Sequence, residues 1–353
     1  MQLTLPLLLA AVLSLFVTPL VIRMARRLGA VDEPNHRKIH QRPMPRLGGL
    51  AVYLVFTAVV LLTQPLTTPL LGLLTGATII VLLGVWDDIR GASPRLKLAV
   101  QFLAALALIP FGFHVEFLTN PLGGIIYLGW WGIPLTVFWV VAVTNALNLI
   151  DGLDGLAAGT ALIASFTLAV VAAVAGNMAV VAVTLILAGA LLGFLRYNFH
   201  PARVFLGDTG SMFLGFTLAT LAIMGLTKGA TALSVIIPVV ILGIPLTDTA
   251  FAVLRRYRNG SPIFYPDKGH LHHRLLGAGL THRGAVLSMY GVNVVLGGSA
   301  VLLTILSTEQ AVLMLFILAV LLLTAANRVG MFGSAAGEPS PEVAAQTGKR
   351  SDL

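Results

Sequence analysis

The chain has 353 residues, of which 57% are hydrophobic and only 10% are Asp, Glu, Lys or Arg. A soluble domain carries roughly 25% charged residues, so this composition excludes an ordinary water-soluble globular protein, and the lack of cysteine excludes disulfides and thiolate metal sites. The net charge of +8 requires no nucleic acid, because membrane lipids and anionic ligands also attract a basic surface.

Eleven apolar segments are each long enough to cross a bilayer as a helix, which takes about 20 residues. In chain order they are 3–22, 47–63, 70–86, 96–113, 125–146, 157–175, 178–195, 210–226, 231–254, 284–306 and 310–327. We therefore predict an all-α, polytopic integral membrane protein with about 11 transmembrane helices. Residues 1–328 form one membrane-embedded domain, and residues 329–353 are too polar to pack and form a disordered tail.

The loop charges predict the orientation. If Met1 lies outside, Lys228 is the only one of the 22 Lys and Arg residues in an outer loop. Cytoplasmic loops carry the Lys/Arg excess, so we expect the N-terminus outside and the C-terminus in the cytoplasm. The expected location is the inner (cytoplasmic) cell membrane, and a homodimer is left open.

Polar residues collect at four places, all on the predicted cytoplasmic side. These are Asp87-Asp88 at the end of the third span, Asn145 to Leu156 at the end of the fifth, Gly207 to Gly210 at the start of the eighth, and Gly269 to Arg274 before the tenth. Ionisable groups at this depth are costly unless they face a partner, water or a metal. The four places are therefore predicted to share one site.

Asn145, Asn148, Asp151 and Asp154 recur every three residues. On a continuous helix they would occupy one slowly drifting face and could point into one cavity. Glycines among them weaken the helix and let the backbone approach a ligand. The alternative is that these residues merely cap helix ends. Capping needs only one or two of them, so the spacing favours a functional site.

Asp87 and Asp88 offer hard oxygen ligands of the kind that bind Mg²⁺ beside a pyrophosphate. The alternative is a solvated helix end paired with Arg90 or Arg95. Stability gives little reason for two carboxylates there, because the C-terminal end of a helix dipole disfavours negative charge.

The stretch Phe205 to Ser211 has two compatible interpretations. Asp208 with Thr209 resembles an ordinary N-cap for the eighth helix, while the surrounding glycines and the helix N-terminus also form a phosphate-binding nest. Phe205 could stack on a base or belong to the interfacial aromatic belt.

The loop before the tenth span gathers His270, His272, His273 and Arg274. The histidines lack the i, i+4 pairing of helical metal sites, so cationic and donor groups for a diphosphate fit better than zinc. A merely polar, basic loop is the alternative. Asp248, inside the ninth span, is expected to pair structurally with a nearby Arg or Asn.

These motifs resemble those of the polyprenyl-phosphate N-acetylhexosamine-1-phosphate transferases. The matches occur in family order across about 30–275, and they are Asp32 to His40 with Pro43 and Gly48-Gly49, Asp87-Asp88, Asn145 to Leu156, Phe205 to Ser211, and Gly269 to Arg274. The form His-Leu-His-His-Arg is similar to the branch that uses N-acetylglucosamine. The branch that transfers phospho-N-acetylmuramoyl-pentapeptide has three consecutive histidines, which this chain lacks.

The resemblance implies transfer of N-acetylglucosamine 1-phosphate from UDP-GlcNAc to undecaprenyl phosphate at the cytoplasmic face, with release of UMP. It implies Mg²⁺, with Mn²⁺ as a substitute, held by Asp208 and Asn148. Asp87 and Asp88 would orient or deprotonate the lipid phosphate, and Asp151 is a further catalytic candidate. Substrate-binding residues would be Asn145, Asp154, Phe205, Lys97, His270, His272, His273 and Arg274, and the acceptor headgroup would border Asn35, Arg37, Lys38 and His40.

Several alternatives stay open or are disfavoured. A two-step route through an aspartyl-phosphate is not distinguished from direct attack. A membrane aromatic prenyltransferase would have aspartate-rich helices with acids at helical spacing, and Asp87-Asp88 has no such following acid. An ion-coupled transporter would place carboxylates near the bilayer midplane in repeated halves, whereas these carboxylates are predicted on one side.

Overall fold

The computed structural model describes residues 3–33, 43–119, 125–226, 236–260 and 269–331. The α-helices in these ranges are α1 (Thr4–Arg27), α2 (Gly48–Thr63), α3 (Thr68–Arg90), α4 (Pro94–Leu106), α5 (Gly132–Ile150), α6 (Leu156–Val174), α7 (Met178–Asn198), α8 (Gly207–Leu226), α9 (Ile236–Ile241), α10 (Gly243–Arg258), α11 (Leu271–Gly277), α12 (His282–Leu303) and α13 (Thr308–Arg328).

Each of the eleven predicted spans coincides with at least one of these helices. In the described ranges, eight helices are long and apolar enough to cross a membrane. The protein is therefore a predominantly helical, multi-pass membrane protein, as the composition predicts. The count of eleven crossings and the placement of the termini stay predictions, and the tail beyond residue 331 lies outside the described residues.

Two short antiparallel hairpins depart from the all-α prediction. Strand β1 (Val31–Asp32) pairs with β2 (Met44–Pro45), and β3 (Phe117–Thr119) pairs with β4 (Ile125–Tyr127). The fifth span was predicted to begin as a helix at Ile125, which is wrong because β-branched and aromatic residues there enter the second hairpin. A 3-10 turn follows, and α5 begins only at Gly132.

Two other spans are interrupted. The ninth was predicted as one helix over 231–254, but the described part contains α9 and α10, which are separated at Leu242. The sequence Gly243-Ile-Pro245 explains the break, since proline lacks the amide proton that would bond to the preceding turn and is tolerated only in the first turn of a new helix. In the fourth span, α4 ends at Leu106 and a 3-10 turn follows at Ile109–Phe111.

Helix α8 lies at the centre of the bundle. Its residues from Thr209 to Ile223 are all buried, and it packs against α2, α3, α5 and α6. A helix that is apolar on every side is expected in such a position. By contrast, α13 buries only Ala311 and lies at the periphery. The first turn of α8, which carries Asp208, is therefore held rigidly by its neighbours.

Helices α2 and α8 touch backbone to backbone at Gly49. A Cβ atom there would lie 2.0 Å from the Gly210 Cα atom, and the Gly49 amide donates to the Leu206 carbonyl at 2.8 Å. Since backbone atoms cannot yield as a side-chain tip can, Gly49→Ala is expected to lower the free energy of unfolding by about 1–3 kcal/mol.

The measurement is the thermal unfolding midpoint of the purified protein in detergent. Gly298→Ala in α12 is the matched control, because a Cβ atom at Gly298 meets no atom within 4 Å. The control should be neutral or slightly stabilising, as alanine favours helix. Equal midpoints for both variants would contradict the close α2–α8 contact.

Candidate functional site

The four polar places predicted from the sequence meet at one end of the helix bundle. A cavity of about 500 Å³ opens there and is lined by residues from the turn after α5, the segment after α7 and the beginnings of α8 and α12. Asp151, Asp154, Phe205, Asp208 and His273 all line it. The prediction that distant segments converge on one site is confirmed for these residues.

Asp208 is held by two other helices. The Lys97 ammonium of α4 contacts the carboxylates of both Asp208 and Asp87. Asn148 of α5 donates its amide to Asp208 Oδ1 at 2.7 Å and to Ser211 Oγ at 2.9 Å. One ammonium therefore lies between two carboxylates and can compensate the charge of only one of them. The Asn148 side-chain oxygen is left without a hydrogen bond in the described part of the chain.

Asp88 caps the N-terminus of α8. Its Oδ1 accepts from the Asp208 amide at 3.0 Å, and its Oδ2 accepts from the Thr209 amide at 3.0 Å and the Thr209 hydroxyl at 2.6 Å. The prediction that Asp208 and Thr209 cap this helix is therefore wrong, because the capping carboxylate comes from α3. Negative charge is stabilised at a helix N-terminus, so the cost of placing an acid at the end of α3 is offset by α8.

The Asn145 to Asp154 series does not lie on one helix face. Helix α5 ends at Ile150, so Asp151 and Asp154 lie in the turn that follows. Asn145 donates to Gln101 Oε1 at 2.5 Å and to the Val141 carbonyl at 2.8 Å, and it is not among the described residues that line the cavity. The continuous-helix geometry is therefore wrong, although Asp151 and Asp154 still reach the cavity.

Gly152, in the turn after α5, allows the backbone to approach a side chain closely, whereas an approach to a ligand was predicted from the sequence. A Cβ atom on Gly152 would lie 2.2 Å from His272 Nε2. The turn after α5 and helix α11 are thus in direct contact. This contact explains how residues 270–274, the histidine segment, come to the same end of the bundle as the carboxylates.

Asp151 makes no side-chain hydrogen bond to any residue in the described part of the chain. Burial raises the pKa of its carboxyl above the ordinary value, and the nearby charges of Asp208 and Asp88 raise that pKa further. A carboxylate in this position is stabilised by added positive charge, so Asp151 is poised to respond to a cation or a cationic ligand.

The residues of the histidine segment make different contacts. His270 Nδ1 lies 2.8 Å from Asp248 Oδ2, and the Leu271 amide donates to Asp248 Oδ1 at 2.8 Å. Asp248 therefore pairs structurally as predicted, but the predicted partner, Arg or Asn, is wrong. The partner is His270, because the histidine segment folds back over α10.

The other members of this segment differ in charge and direction. Burial lowers the pKa of His272 to about 3, so its imidazole is neutral at physiological pH and brings no positive charge. Arg274 donates to the carbonyls of Gly269 at 2.9 Å and Gly330 at 2.5 Å. Of the four residues, His273 lines the cavity.

Phe205 forms part of the cavity wall. Its backbone is fixed by two hydrogen bonds, from its amide to the Pro45 carbonyl at 2.8 Å and from the Gly48 amide to its own carbonyl at 3.0 Å. An aromatic face at the wall of a polar cavity can stack on a flat ring, so its placement agrees with the base-stacking interpretation.

Three residues of the site were missed by sequence reasoning. Arg46 lies 3.8 Å from Asp88 and 3.5 Å from Asp32, and His200 and His282 line the cavity. Arg46 lies two residues before Gly48-Gly49, and His200 lies five residues before Phe205, so nearness to recognised motifs was the available signal. The predicted acceptor residues Asn35, Arg37, Lys38 and His40 lie outside the described residues.

The residues present fit a divalent cation bound by oxygen. Four carboxylates and two cationic groups meet here, namely Asp87, Asp88, Asp151 and Asp208 with Lys97 and Arg46. Counted as ionised, they leave two negative charges uncompensated. Carboxylate and amide oxygens are the ligands that Mg²⁺ prefers, and Asp208, Asn148 and Asp87 supply them side by side.

Fold and site together define a polytopic helical membrane protein with a carboxylate-rich polar site at one end of its bundle. The glycosyl transferase family 4 model matches residues 70–226, a segment that includes Asp87, Asp88, Asn148 and Asp208. The match therefore covers the helices that carry the carboxylates of the site.

Three relatives extend the similarity over most of the chain. A probable undecaprenyl-phosphate N-acetylglucosaminyl 1-phosphate transferase of Bacillus subtilis is 43% identical, over 90% of this chain and 89% of its own. A decaprenyl-phosphate N-acetylglucosaminephosphotransferase of Mycobacterium tuberculosis is 37% identical, over 82% and 80%. An undecaprenyl-phosphate alpha-N-acetylglucosaminyl 1-phosphate transferase of Escherichia coli is 31% identical, over 74% and 73%.

The chain belongs to glycosyl transferase family 4, within the polyprenyl-phosphate N-acetylhexosamine-1-phosphate transferases. The resemblance indicated by the five sequence motifs is thereby confirmed.

Proposed function

We propose that this protein transfers N-acetylglucosamine 1-phosphate from UDP-GlcNAc to a polyprenyl phosphate, undecaprenyl phosphate in the first instance, and releases UMP. The observation that carries the proposal is the group of Asp87, Asp208 and Asn148 around Lys97, in which two carboxylates face one ammonium beside the cavity that Asp208 lines. The names of the relatives, all of which specify N-acetylglucosamine and a polyprenyl phosphate, support this choice of substrates.

The reaction is an in-line displacement at phosphorus. An oxygen of the lipid phosphate attacks the β-phosphorus of UDP-GlcNAc, the bond from that phosphorus to the bridging oxygen breaks, and UMP leaves with the electron pair. The second pKa of a phosphate monoester is near 6, so much of the acceptor is already a dianion at neutral pH. The main requirement is therefore compensation of charge on the diphosphate.

The residues of the cluster divide this work. Asp208 and Asn148, with Asp87 beside them, would hold Mg²⁺, which would supply positive charge to the diphosphate. Lys97 holds the Asp87 and Asp208 carboxylates together and offers a further positive charge to a phosphate oxygen. Asp151, which makes no side-chain hydrogen bond in the described part of the chain, would face the substrates from the turn after α5. Asp88 acts as a positioning residue through the first turn of α8.

The reaction takes place at the cytoplasmic face of the cell membrane. The Lys/Arg excess of the loops at this end of the bundle supports that orientation. A water-soluble UDP-sugar and a lipid phosphate confined to the leaflet can both reach polar residues at helix ends on that face. Polyprenyl phosphate would enter from the lipid, and UDP-GlcNAc from the cytoplasm.

The test is an assay of the purified full-length protein with undecaprenyl phosphate and a panel of UDP-sugars. We expect Mg²⁺-dependent release of UMP and a lipid-diphosphate product with UDP-GlcNAc, each requiring the lipid phosphate. Turnover of UDP-MurNAc-pentapeptide instead would place the protein in the branch of the family that transfers phospho-N-acetylmuramoyl-pentapeptide. Solute flux into sealed vesicles with no UMP released would overturn the proposal.

Phe205→Ala is expected to weaken nucleotide binding by about 1–3 kcal/mol, because it removes the ring that stacks on uracil. The measurement is the affinity for UDP by calorimetry. Phe205→Leu is the matched control: it keeps apolar bulk against the cavity wall but has no π face. Wild-type affinity in Phe205→Ala, or in Phe205→Leu, would show that stacking does not contribute.

A further inference from the structure

A second cluster of metal-ligating side chains lies at the rim of the same cavity. One ligand atom each from Asp154, His200 and His282 fall within 4.8 Å of one another. The three residues come from the turn after α5, the segment after α7 and the first turn of α12. None of them contacts Asp208, so this cluster is separate from the carboxylate group around Lys97.

We propose that Asp154, His200 and His282 form a binding site for a late first-row divalent ion such as Zn²⁺. Two imidazoles and one carboxylate are a ligand set typical of such ions, whereas Mg²⁺ prefers oxygen ligands. Three protein ligands leave a fourth position, and because all three residues line the cavity, water or a phosphate oxygen can occupy it.

An ordinary hydrogen-bonded Asp–His pair does not account for the arrangement. Asp154 Oδ2 lies 2.8 Å from His200 Nδ1, and such a pair needs only one histidine. The His282 ring nevertheless stacks on the His200 ring with centroids 4.2 Å apart and planes 21° apart. His282 Nε2 is buried with no hydrogen-bond partner, so the second imidazole has ligand capacity that the protein does not use.

The site is also held in place by surrounding backbone contacts. The Ala202 amide donates to Asp154 Oδ2 at 3.1 Å, and Arg283 Nε donates to the His200 carbonyl at 3.2 Å. Such contacts orient ligands before an ion binds. Binding would tie the three segments that frame the cavity, so the ion stabilises this end of the bundle irrespective of which substrate the cavity accepts.

The experiment uses the full-length protein in detergent, stripped with a chelator and titrated with Co²⁺ in the presence of excess Mg²⁺. We expect one equivalent of Co²⁺ with the intense visible d–d bands of a tetrahedral site, displaced by Zn²⁺. His200→Gln and His282→Gln should each weaken binding at least about tenfold. His114→Gln and His273→Gln are matched controls outside the cluster and should bind as the wild type does.

Failure of the wild type to bind Co²⁺ under these conditions would overturn the proposal, and so would unchanged binding in both cluster variants or loss of binding in His273→Gln. If the cluster variants do not fold, X-ray absorption on the Zn²⁺-loaded wild type decides. It should show outer-shell scattering from two imidazoles, and a first shell of oxygen alone would contradict the assignment.

Discussion

Asp208→Asn is expected to reduce UMP release by about 100-fold or more while the protein stays folded. The substitution keeps the size of the side chain but removes the charge that, in our account, helps to hold Mg²⁺ and is balanced by Lys97. Losing one preorganised group that stabilises developing charge costs about 10²–10³-fold in rate. The measurement is the initial rate of UMP release at saturating substrates over a series of Mg²⁺ concentrations.

The Mg²⁺ series separates a metal ligand from other roles. A weakened ligand set should raise the Mg²⁺ concentration that gives half of the remaining rate, and the thermal unfolding midpoint should stay near that of the wild type. Glu116→Gln, at an exposed carboxylate near the second hairpin, is the control and should leave the rate unchanged. An Asp208→Asn enzyme with the wild-type rate would remove Asp208 from the site.

The neighbouring acids Asp87 and Asp88 are expected to behave differently when each is changed to Asn. Asp88→Asn should lower the free energy of unfolding by about 3 kcal/mol, because it leaves buried donors of Asp208 and Thr209 facing an amide. Its UMP release should fall as well, since the first turn of α8 carries Asp208. The measurements are the thermal or denaturant midpoint in detergent and the rate of UMP release.

Asp87→Asn is the matched comparison, one residue away on the same helix. Asp87 accepts from the Ala92 amide at 2.6 Å and contacts Lys97, so the substitution should reduce the rate with a smaller loss of stability. If Asp88→Asn lost activity at wild-type stability, Asp88 would act on the substrates directly and not through α8.

The helices and the composition of the site could be predicted from the sequence because both depend on local patterns. Apolar segments of bilayer length coincide with helices α1 to α10, α12 and α13, and Asp151, Asp154, Phe205 and Asp208 line one cavity. Loop charges and hydropathy place carboxylates at helix ends on the same side, which is sufficient to predict that they converge.

The details that were missed depend on contacts between distant segments. Capping of α8 by Asp88 joins residues 120 apart, and no local pattern reveals that a helix receives its cap from another helix. The pairing of Asp248 with His270 likewise requires the histidine segment to fold back over α10. The break at Leu242 was visible in Gly243 and Pro245, but the high hydropathy of the segment outweighed that signal.

The most direct test of the central claim is to locate the cation and the nucleotide in a structure of the full-length protein with Mn²⁺ and UDP. The anomalous signal of Mn²⁺ should lie within coordination distance of Asp208, with the uracil against Phe205 and the diphosphate between them. Mn²⁺ bound away from Asp208, or UDP bound outside the cavity that Asp151 and Phe205 line, would contradict the account.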